Sequence, residues 1–106
     1  MHGNNRIGNT LSAKGSEILQ SFNPATGEAL PGQFHIATDT EINEVMNKAK
    51  EAFESYRRIS GLRKAAFLEA IGDEIMALGD TLVQRACLET ALPEARIIGE
   101  RGRTVN

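Results

Sequence analysis

Side chains that could act as a nucleophile or a metal ligand are few in this sequence of 106 residues. Cys87 is the only thiol, and its apolar neighbours Ala86 and Leu88 predict a buried structural position in a helix. A nucleophilic cysteine instead needs a nearby base or cation and some exposure. His2 and His35 do not combine with the cysteine into a metal-binding spacing. We therefore expect no catalytic residue and no metal site in this segment.

The acidic residues offer carboxylates for acid and base chemistry, but their positions are typical of solvated helix faces, helix caps and i,i+4 ion pairs. Gly99 and Gly102 superficially resemble a phosphate-binding loop. No strand precedes them, and their spacing is neither that of a dinucleotide-binding turn nor that of a P-loop. We expect no cofactor-binding residue here. The carboxylates considered are those of Asp73, Glu74, Glu89, Glu94 and Glu100.

Two pairs of arginines have different predicted roles. Arg57 and Arg58 fall at the predicted end of a helix, where the helix dipole stabilises a cation. Arg101 and Arg103 stand near the end of the sequence and are our candidates for substrate binding, at a site completed by residues outside this segment. A guanidinium matches the geometry of a carboxylate, so the expected ligand of these two arginines carries an acidic group.

The helices and strands that must position these side chains have few large apolar residues from which to build a core. The sequence is 41% apolar and 25% charged, which is ordinary for a globular protein, and its length allows one domain. It contains five aromatic residues and no tryptophan, and a small domain buries a smaller share of its surface than a large one. We therefore expect the fold to depend on a partner or on further sequence.

Charge and hydropathy exclude two classes of partner. The formal net charge is −2 and the cationic residues are spread along the chain, so we expect no nucleic-acid partner. No apolar run approaches the length of a membrane span, and residues 1–15 lack the apolar centre of a signal peptide. A lone cysteine fits a reducing compartment. These features predict a cytoplasmic protein without a membrane partner.

The first third of the sequence predicts a flexible arm followed by a hairpin. Residues 1–16 are rich in glycine and asparagine, which indicates a weakly structured arm or a short edge strand. Residues 17–36 read as a β-hairpin, because Pro24 fixes φ at the second position of a turn and Gly27 can take a positive φ. The predicted fold is therefore mainly α with a short N-terminal β-hairpin.

Residues 38–106 predict three or four helices. Thr38 and Glu41 have the spacing of a capping box and mark the start of the first helix, which should run to about Arg58. Ser60 can cap a second helix, and Gly79 can end it in a left-handed conformation. One stripe of the first helix is apolar. Its residues are Ile42, Val45, Met46, Ala49, Ala52, Phe53 and Tyr56.

The last two predicted helices are short. Asp80 is the expected N-cap of the third helix, and Pro93 is the expected first residue of the fourth. The sequence stops at Asn106 with no cap or turn residue after the fourth helix. We therefore expect it to be a piece cut within an element.

The order of these features resembles the start of the aldehyde dehydrogenase superfamily, from about Ile7 onward. The general features are the turn of residues 22–28, the helix of residues 49–56, the pattern Arg63, Leu68, Ile71, Glu74, Ile75, and the pair Glu89, Thr90. Other segments are similar to the branch that oxidises α-ketoglutarate semialdehyde, also called 2,5-dioxovalerate. These are residues 27–32, 78–80, 92–97 and 99–104.

The resemblance implies a parent enzyme that oxidises an aldehyde to a carboxylate. In that family a catalytic cysteine forms a thiohemiacetal, hydride passes to NAD or NADP, and a glutamate activates water. The implied protein has a Rossmann-like cofactor domain, a catalytic domain and an extension for dimer or tetramer formation. All these functional residues lie downstream, and Cys87 does not match the catalytic position. The resemblance thus implies an inactive N-terminal fragment, whose partners are the remaining chain and further copies of the enzyme.

Two points stay open. Ala91 stands where relatives usually have glycine, which predicts either a longer third helix or a slightly strained turn. The alternative to a dehydrogenase fragment is a stand-alone helical interaction module without catalysis. A fragment should expose larger apolar patches than a normal monomer, or hide them in oligomers.

Overall fold

The computed structural model describes residues 2–106, which form two compact units. The first unit contains residues up to 21 and residues 31–59, and the second contains residues 22–30 and 60–106. Strands β1 (Asn5–Ile7), β2 (Thr10–Ser12), β3 (Ile18–Leu19) and β4 (Phe34–His35) and helix α1 (Asp39–Tyr56) belong to the first. Helices α2 (Gly61–Ala77), α3 (Gly79–Thr90) and α4 (Glu94–Val105) belong to the second. The described chain is thus mostly helical, with short antiparallel strand pairs near its start.

Strands β1 and β2 form an antiparallel hairpin within the expected flexible arm of residues 1–16. Gly8 turns the chain with a φ of +60°, and the Thr10 hydroxyl donates to the carbonyl of Ile7 at 3.0 Å. Ile7 is buried, and β1 contacts α1. Of the two alternatives for residues 1–16, a weakly structured arm or a short edge strand, the strands at Asn5–Ile7 and Thr10–Ser12 agree with the second. Gly8 and Asn9 lie in the tight turn between them.

The second strand pair lies within the segment predicted as a hairpin. Strands β3 and β4 are antiparallel, with Ile18 opposite His35 and Leu19 opposite Phe34. Each strand has two residues, so the pair contributes few main-chain hydrogen bonds. The sequence between these strands, residues 22–30, is part of the second unit and is described there.

Helix α1 begins as predicted. The Thr38 side chain accepts from the amide of Glu41, and the Glu41 side chain accepts from the amide of Thr38, which completes the capping box. The helix ends at Tyr56, two residues before the expected Arg58, and Arg57 is its C-cap. Since helix ends fray, this difference is small.

In the second unit, residues 22–30 form the expected turn. The carbonyl of Asn23 accepts from the amides of Thr26 at 3.3 Å and Gly27 at 2.7 Å, while its side-chain oxygen accepts from the amide of Ala25 at 2.9 Å. Gly27 has a φ of +74°, which confirms the predicted positive φ. Phe22 and Ala29 pair across the turn.

The helices of the second unit confirm two predicted boundaries and correct two others. The Ser60 hydroxyl accepts from the amide of Arg63 at 3.3 Å, and Gly79 is left-handed with a φ of +57°. Asp80 is not an N-cap, because α3 already begins at Gly79 and so places Asp80 in its first turn. Pro93 is the N-cap of α4 and not its first helical residue, because its ψ of 144° is extended.

Few apolar side chains are buried among residues 2–106. They are Ile7, Leu30 and Val83. The accessible surface is 8121 Å², whereas surface scaling gives about 5,800 Å² for one compact protein of 11.5 kDa and about 7,000 Å² for two bodies of half that mass. The accessible surface of this chain is larger than both of these reference values. No helix in residues 2–106 is long and apolar enough to cross a membrane.

Candidate functional site

A polar centre around Glu41 joins three segments of the first unit through hydrogen bonds. The Glu41 side chain is 1% exposed. Its Oε1 accepts from the Ser12 hydroxyl and from the amide of Lys14 at 3.3 Å. Its Oε2 accepts from the amide and the hydroxyl of Thr38, each at 2.9 Å. Four donors thus satisfy both oxygens and join β2, the following loop and the start of α1.

These hydrogen bonds favour the charged form of Glu41. The bond from the Ser12 side chain, followed by that from the Thr38 amide, lowers the pKa of the Glu41 carboxyl from 4.5 to about 2, against the opposing effect of burial. A carboxyl that stays ionised and fully bonded is a poor proton donor or acceptor at neutral pH. The arrangement therefore stabilises structure. The capping-box spacing in the sequence predicted the contact between Glu41 and Thr38. Nothing in the sequence near Glu41 predicted its contacts with Ser12 and Lys14.

The candidate nucleophile and metal ligands occupy separate places. Cys87 is half-buried, which corrects the fully buried position expected for it, because one side of α3 borders an open cavity of about 420 Å³. In the first unit, His35 Nδ1 lies 3.2 Å from the carbonyl of Gly15, and His2 is exposed. Within residues 2–106, no three His, Cys, Asp or Glu side chains are grouped as metal ligands. The cavity is lined by Gln84, Cys87, Leu88, Leu92 and Glu94.

Two of the candidate carboxylates form ion pairs along helices, as predicted. Glu89 Oε1 accepts from Arg85 Nη2 at 2.7 Å and from Arg85 Nε at 2.8 Å. Glu100 Oε1 lies 2.7 Å from Arg96 Nη2. Both pairs have i,i+4 spacing, so Arg85 and Arg96 could have been predicted from the sequence as the partners of these glutamates. The remaining candidates, Asp73, Glu74 and Glu94, are exposed.

The two candidate substrate-binding arginines differ in their surroundings. Arg101 is half-buried, and its Nη1 donates to the carbonyl of Gly79 at 3.0 Å. The Arg103 side chain is 76% exposed, and its Nη1 lies 3.3 Å from Glu100 Oε1. Both stand on α4 but two positions apart, so they point to nearly opposite sides of the helix. The structure does not bring them together as one anion-binding pair.

The described residues do not fit a dinucleotide cofactor. Gly99 and Gly102 lie inside α4, and an irregular loop precedes this helix. The paired strands of residues 2–106 are antiparallel, whereas a dinucleotide-binding turn follows a strand of a parallel βαβ unit. Gly99 and Gly102 therefore do not form the glycine-rich turn of a dinucleotide-binding site.

The loop after α3 resolves the two possibilities left open at Ala91. Ala91 has φ 55° and ψ 18°, so it adopts the left-handed conformation of a strained turn and α3 ends at Thr90. The Thr90 hydroxyl donates to the carbonyl of Ala86 at 2.7 Å and accepts from the amide of Leu92 at 3.2 Å. These contacts hold the turn although it lacks glycine.

Replacing Ala91 by glycine should leave stability unchanged or raise it by up to about 1.6 kcal/mol. Relief of the left-handed conformation contributes about 1–2 kcal/mol, and the greater freedom of glycine in the unfolded chain opposes it by about 0.4–1 kcal/mol. The matched control is A70G in the exposed middle of α2, which should cost about 1 kcal/mol. Chemical denaturation measures both. Equal destabilisation by the two variants would contradict the strained-turn interpretation.

Comparison with known proteins agrees with the order of these elements. The pattern of the aldehyde dehydrogenase family matches residues 11–106, and the chain belongs to this family. It is similar to alpha-ketoglutaric semialdehyde dehydrogenase 2 of Azospirillum brasilense, with 45% identity over 100 residues, 93% of this chain and 19% of that protein. It is also similar to alpha-ketoglutaric semialdehyde dehydrogenase of Acinetobacter baylyi, with 32% identity over 91 residues, 86% of this chain and 17% of that protein. The chain thus spans less than a fifth of the length of these relatives.

Proposed function

We propose that this chain is the N-terminal scaffold of a longer NAD(P)-dependent enzyme that oxidises α-ketoglutarate semialdehyde to a carboxylate through a cysteine thiohemiacetal. The 45% identity to a semialdehyde dehydrogenase over 93% of the chain carries this proposal. Cys87 is half-buried, and Glu89 and Glu100 form ion pairs along their helices; we expect the chain alone to be inactive. A cofactor that is either NAD or NADP and a cytoplasmic location are part of the same proposal.

The scaffold role is supported by apolar side chains that the chain leaves uncovered. In α1, five large apolar residues of the predicted stripe are each more than a third exposed. We infer that the remaining chain of the enzyme covers this stripe, because a normal monomer does not expose so long a row of apolar side chains. Homo-oligomer formation by the complete enzyme is part of the same proposal. The five residues are Ile42, Val45, Met46, Phe53 and Tyr56.

The test of the proposed function begins with the intact mass of the natural product. We expect a longer chain that reduces NAD or NADP when it is given α-ketoglutarate semialdehyde. A natural product that ends at Asn106 and folds would contradict the proposal and support the alternative, a helical interaction module without catalysis. A longer enzyme that oxidises only neutral aldehydes would overturn the proposed substrate but not the proposed reaction class.

The same assay tests whether an arginine of α4 recognises the acidic end of the substrate. Arg103 is the better placed of the two candidates, because Glu100 binds Arg96 at 2.7 Å and leaves Arg103 a longer contact of 3.3 Å. R103Q should raise KM for α-ketoglutarate semialdehyde about tenfold, since a charge-assisted hydrogen bond is lost, and leave KM for a neutral aldehyde of similar size unchanged. R58Q, which changes another exposed arginine, is the control. Equal effects of R103Q on both aldehydes would exclude this role.

A further inference from the structure

An arginine of α4 binds the junction between α2 and α3. Arg101 Nη1 donates to the carbonyl of Gly79, 22 residues earlier in the chain, at 3.0 Å. Gly79 follows Leu78, the C-cap of α2, and turns the chain into α3 with a φ of +57°. No side chain caps the start of α3. Arg101 therefore links α4 to this turn by a hydrogen bond.

The position of this contact constrains the orientation of α4. The helix packs against both α2 and α3, and a Cβ added to Gly72 of α2 would stand in ordinary van der Waals contact with Val105, at 3.6 Å. The charge-assisted hydrogen bond from Arg101 adds a directional contact to this packing, and it favours the side of α4 that faces the junction.

We propose that Arg101 is a positioning residue, which fixes α4 against the α2–α3 junction and thereby orients the outer side of α4 that carries Arg103. The inference rests on the proposed function, and it separates the roles of two arginines that the sequence treats alike. Arg101 binds a main-chain carbonyl inside the second unit. Arg103 is 76% exposed and is left to contact a ligand.

Lysine and glutamine substitutions distinguish positioning from substrate binding. A carbonyl oxygen needs one donor, which the ammonium group of R101K can supply, whereas a carboxylate anchor loses its two-pronged geometry when arginine becomes lysine. The glutamine side chain of R101Q is shorter than that of arginine and carries no charge, so it is expected to lose the bond to Gly79. R103Q is the matched control, because it removes a guanidinium from the same helix without touching Gly79.

The first experiment measures amide hydrogen exchange in the natural full-length protein that the mass measurement identifies. R101Q should speed exchange in α4 and at the start of α3 about tenfold, the loss expected for one charge-assisted hydrogen bond, while R101K and R103Q should exchange like the unaltered chain. Unchanged exchange in R101Q would overturn the positioning role, as would a loss in R101K as large as that in R101Q.

The second experiment measures kinetics in the longer enzyme. R101Q should raise KM for an acidic aldehyde more than for a neutral one, because the side of α4 that carries Arg103 is no longer fixed, and R101K should restore the KM. A rise in KM for the acidic aldehyde that R101K does not restore would show that Arg101 itself binds substrate and would overturn the proposal. A longer enzyme without aldehyde activity would refute the proposed function, and hydrogen exchange would then decide the position of α4 independently.

Discussion

Replacing Glu41 by glutamine should lower the melting temperature of the first unit by about 10 °C or more at pH 7. The Glu41 carboxylate accepts from four donors, and a glutamine side chain places an NH₂ group against two of them. Those two donors lose their acceptor in a part-buried position. The measurement is thermal unfolding followed by hydrogen exchange in α1. E44Q is the control, because Glu44 is on the same helix but forms only long ion pairs of 3.8 Å.

The pH dependence of stability is a second test of the role of Glu41. The pKa of Glu41 is lowered from 4.5 to about 2 in the folded chain, so the unfolded state binds more protons between these values. The contribution of Glu41 is therefore complete above about pH 4.5 and is lost progressively as the pH falls toward 2. Subtracting the profile of E41Q from that of the unaltered chain should isolate this loss. Identical slopes in the two proteins between pH 4.5 and 2 would contradict the role of the polar centre.

Placing two charges on the apolar stripe of α1 should have opposite effects in the 106-residue chain and in the proposed longer enzyme. Met46 is 64% exposed and Phe53 is 55% exposed. In the 106-residue chain, the double variant M46E/F53E should reduce self-association, because it removes an exposed apolar patch at little cost to the helix. In the longer enzyme the same variant should lower the folded yield severely, since each buried and unpaired carboxylate costs several kcal/mol.

Analytical ultracentrifugation of the short chain and the folded yield of the longer enzyme measure the two effects. E51Q is the control in both proteins, because Glu51 is an exposed residue of α1 outside the stripe. A longer enzyme that tolerates M46E/F53E without loss would show that the remaining chain does not cover this face. The outcome separates the scaffold role from that of an interaction module, for which another protein would cover the stripe.

Local rules predicted those parts of the fold in which the interacting residues are close in sequence. The capping box of Thr38 and Glu41, the Ser60 cap and the positive φ of Gly27 and Gly79 each depend on fewer than six consecutive residues. The sequence left β1 and β2 as one of two alternatives and did not predict their pairing, because Gly8 is typical both of a turn and of a weakly structured segment. The predicted places of Asp80 and Pro93 in their helices were each wrong by one residue or more, as is common at helix starts.

The candidate sites depend on contacts between distant residues, which a single sequence does not reveal. The Ser12 hydroxyl reaches Glu41 across 29 residues, and Arg101 reaches Gly79 across 22. Spacing alone made Arg101 and Arg103 equivalent. Only the packing of α4 shows that one of them bonds a main-chain carbonyl while the other is exposed.

The polar centre also has a consequence for the order of events during synthesis. Every partner of Glu41 precedes it in the sequence, so these bonds can form once residue 59, the end of the first unit, has left the ribosome. The apolar stripe of α1 is then complete and exposed. In the longer enzyme proposed above, slow translation or a shortage of chaperones should therefore favour aggregation through this stripe before the rest of the chain is made.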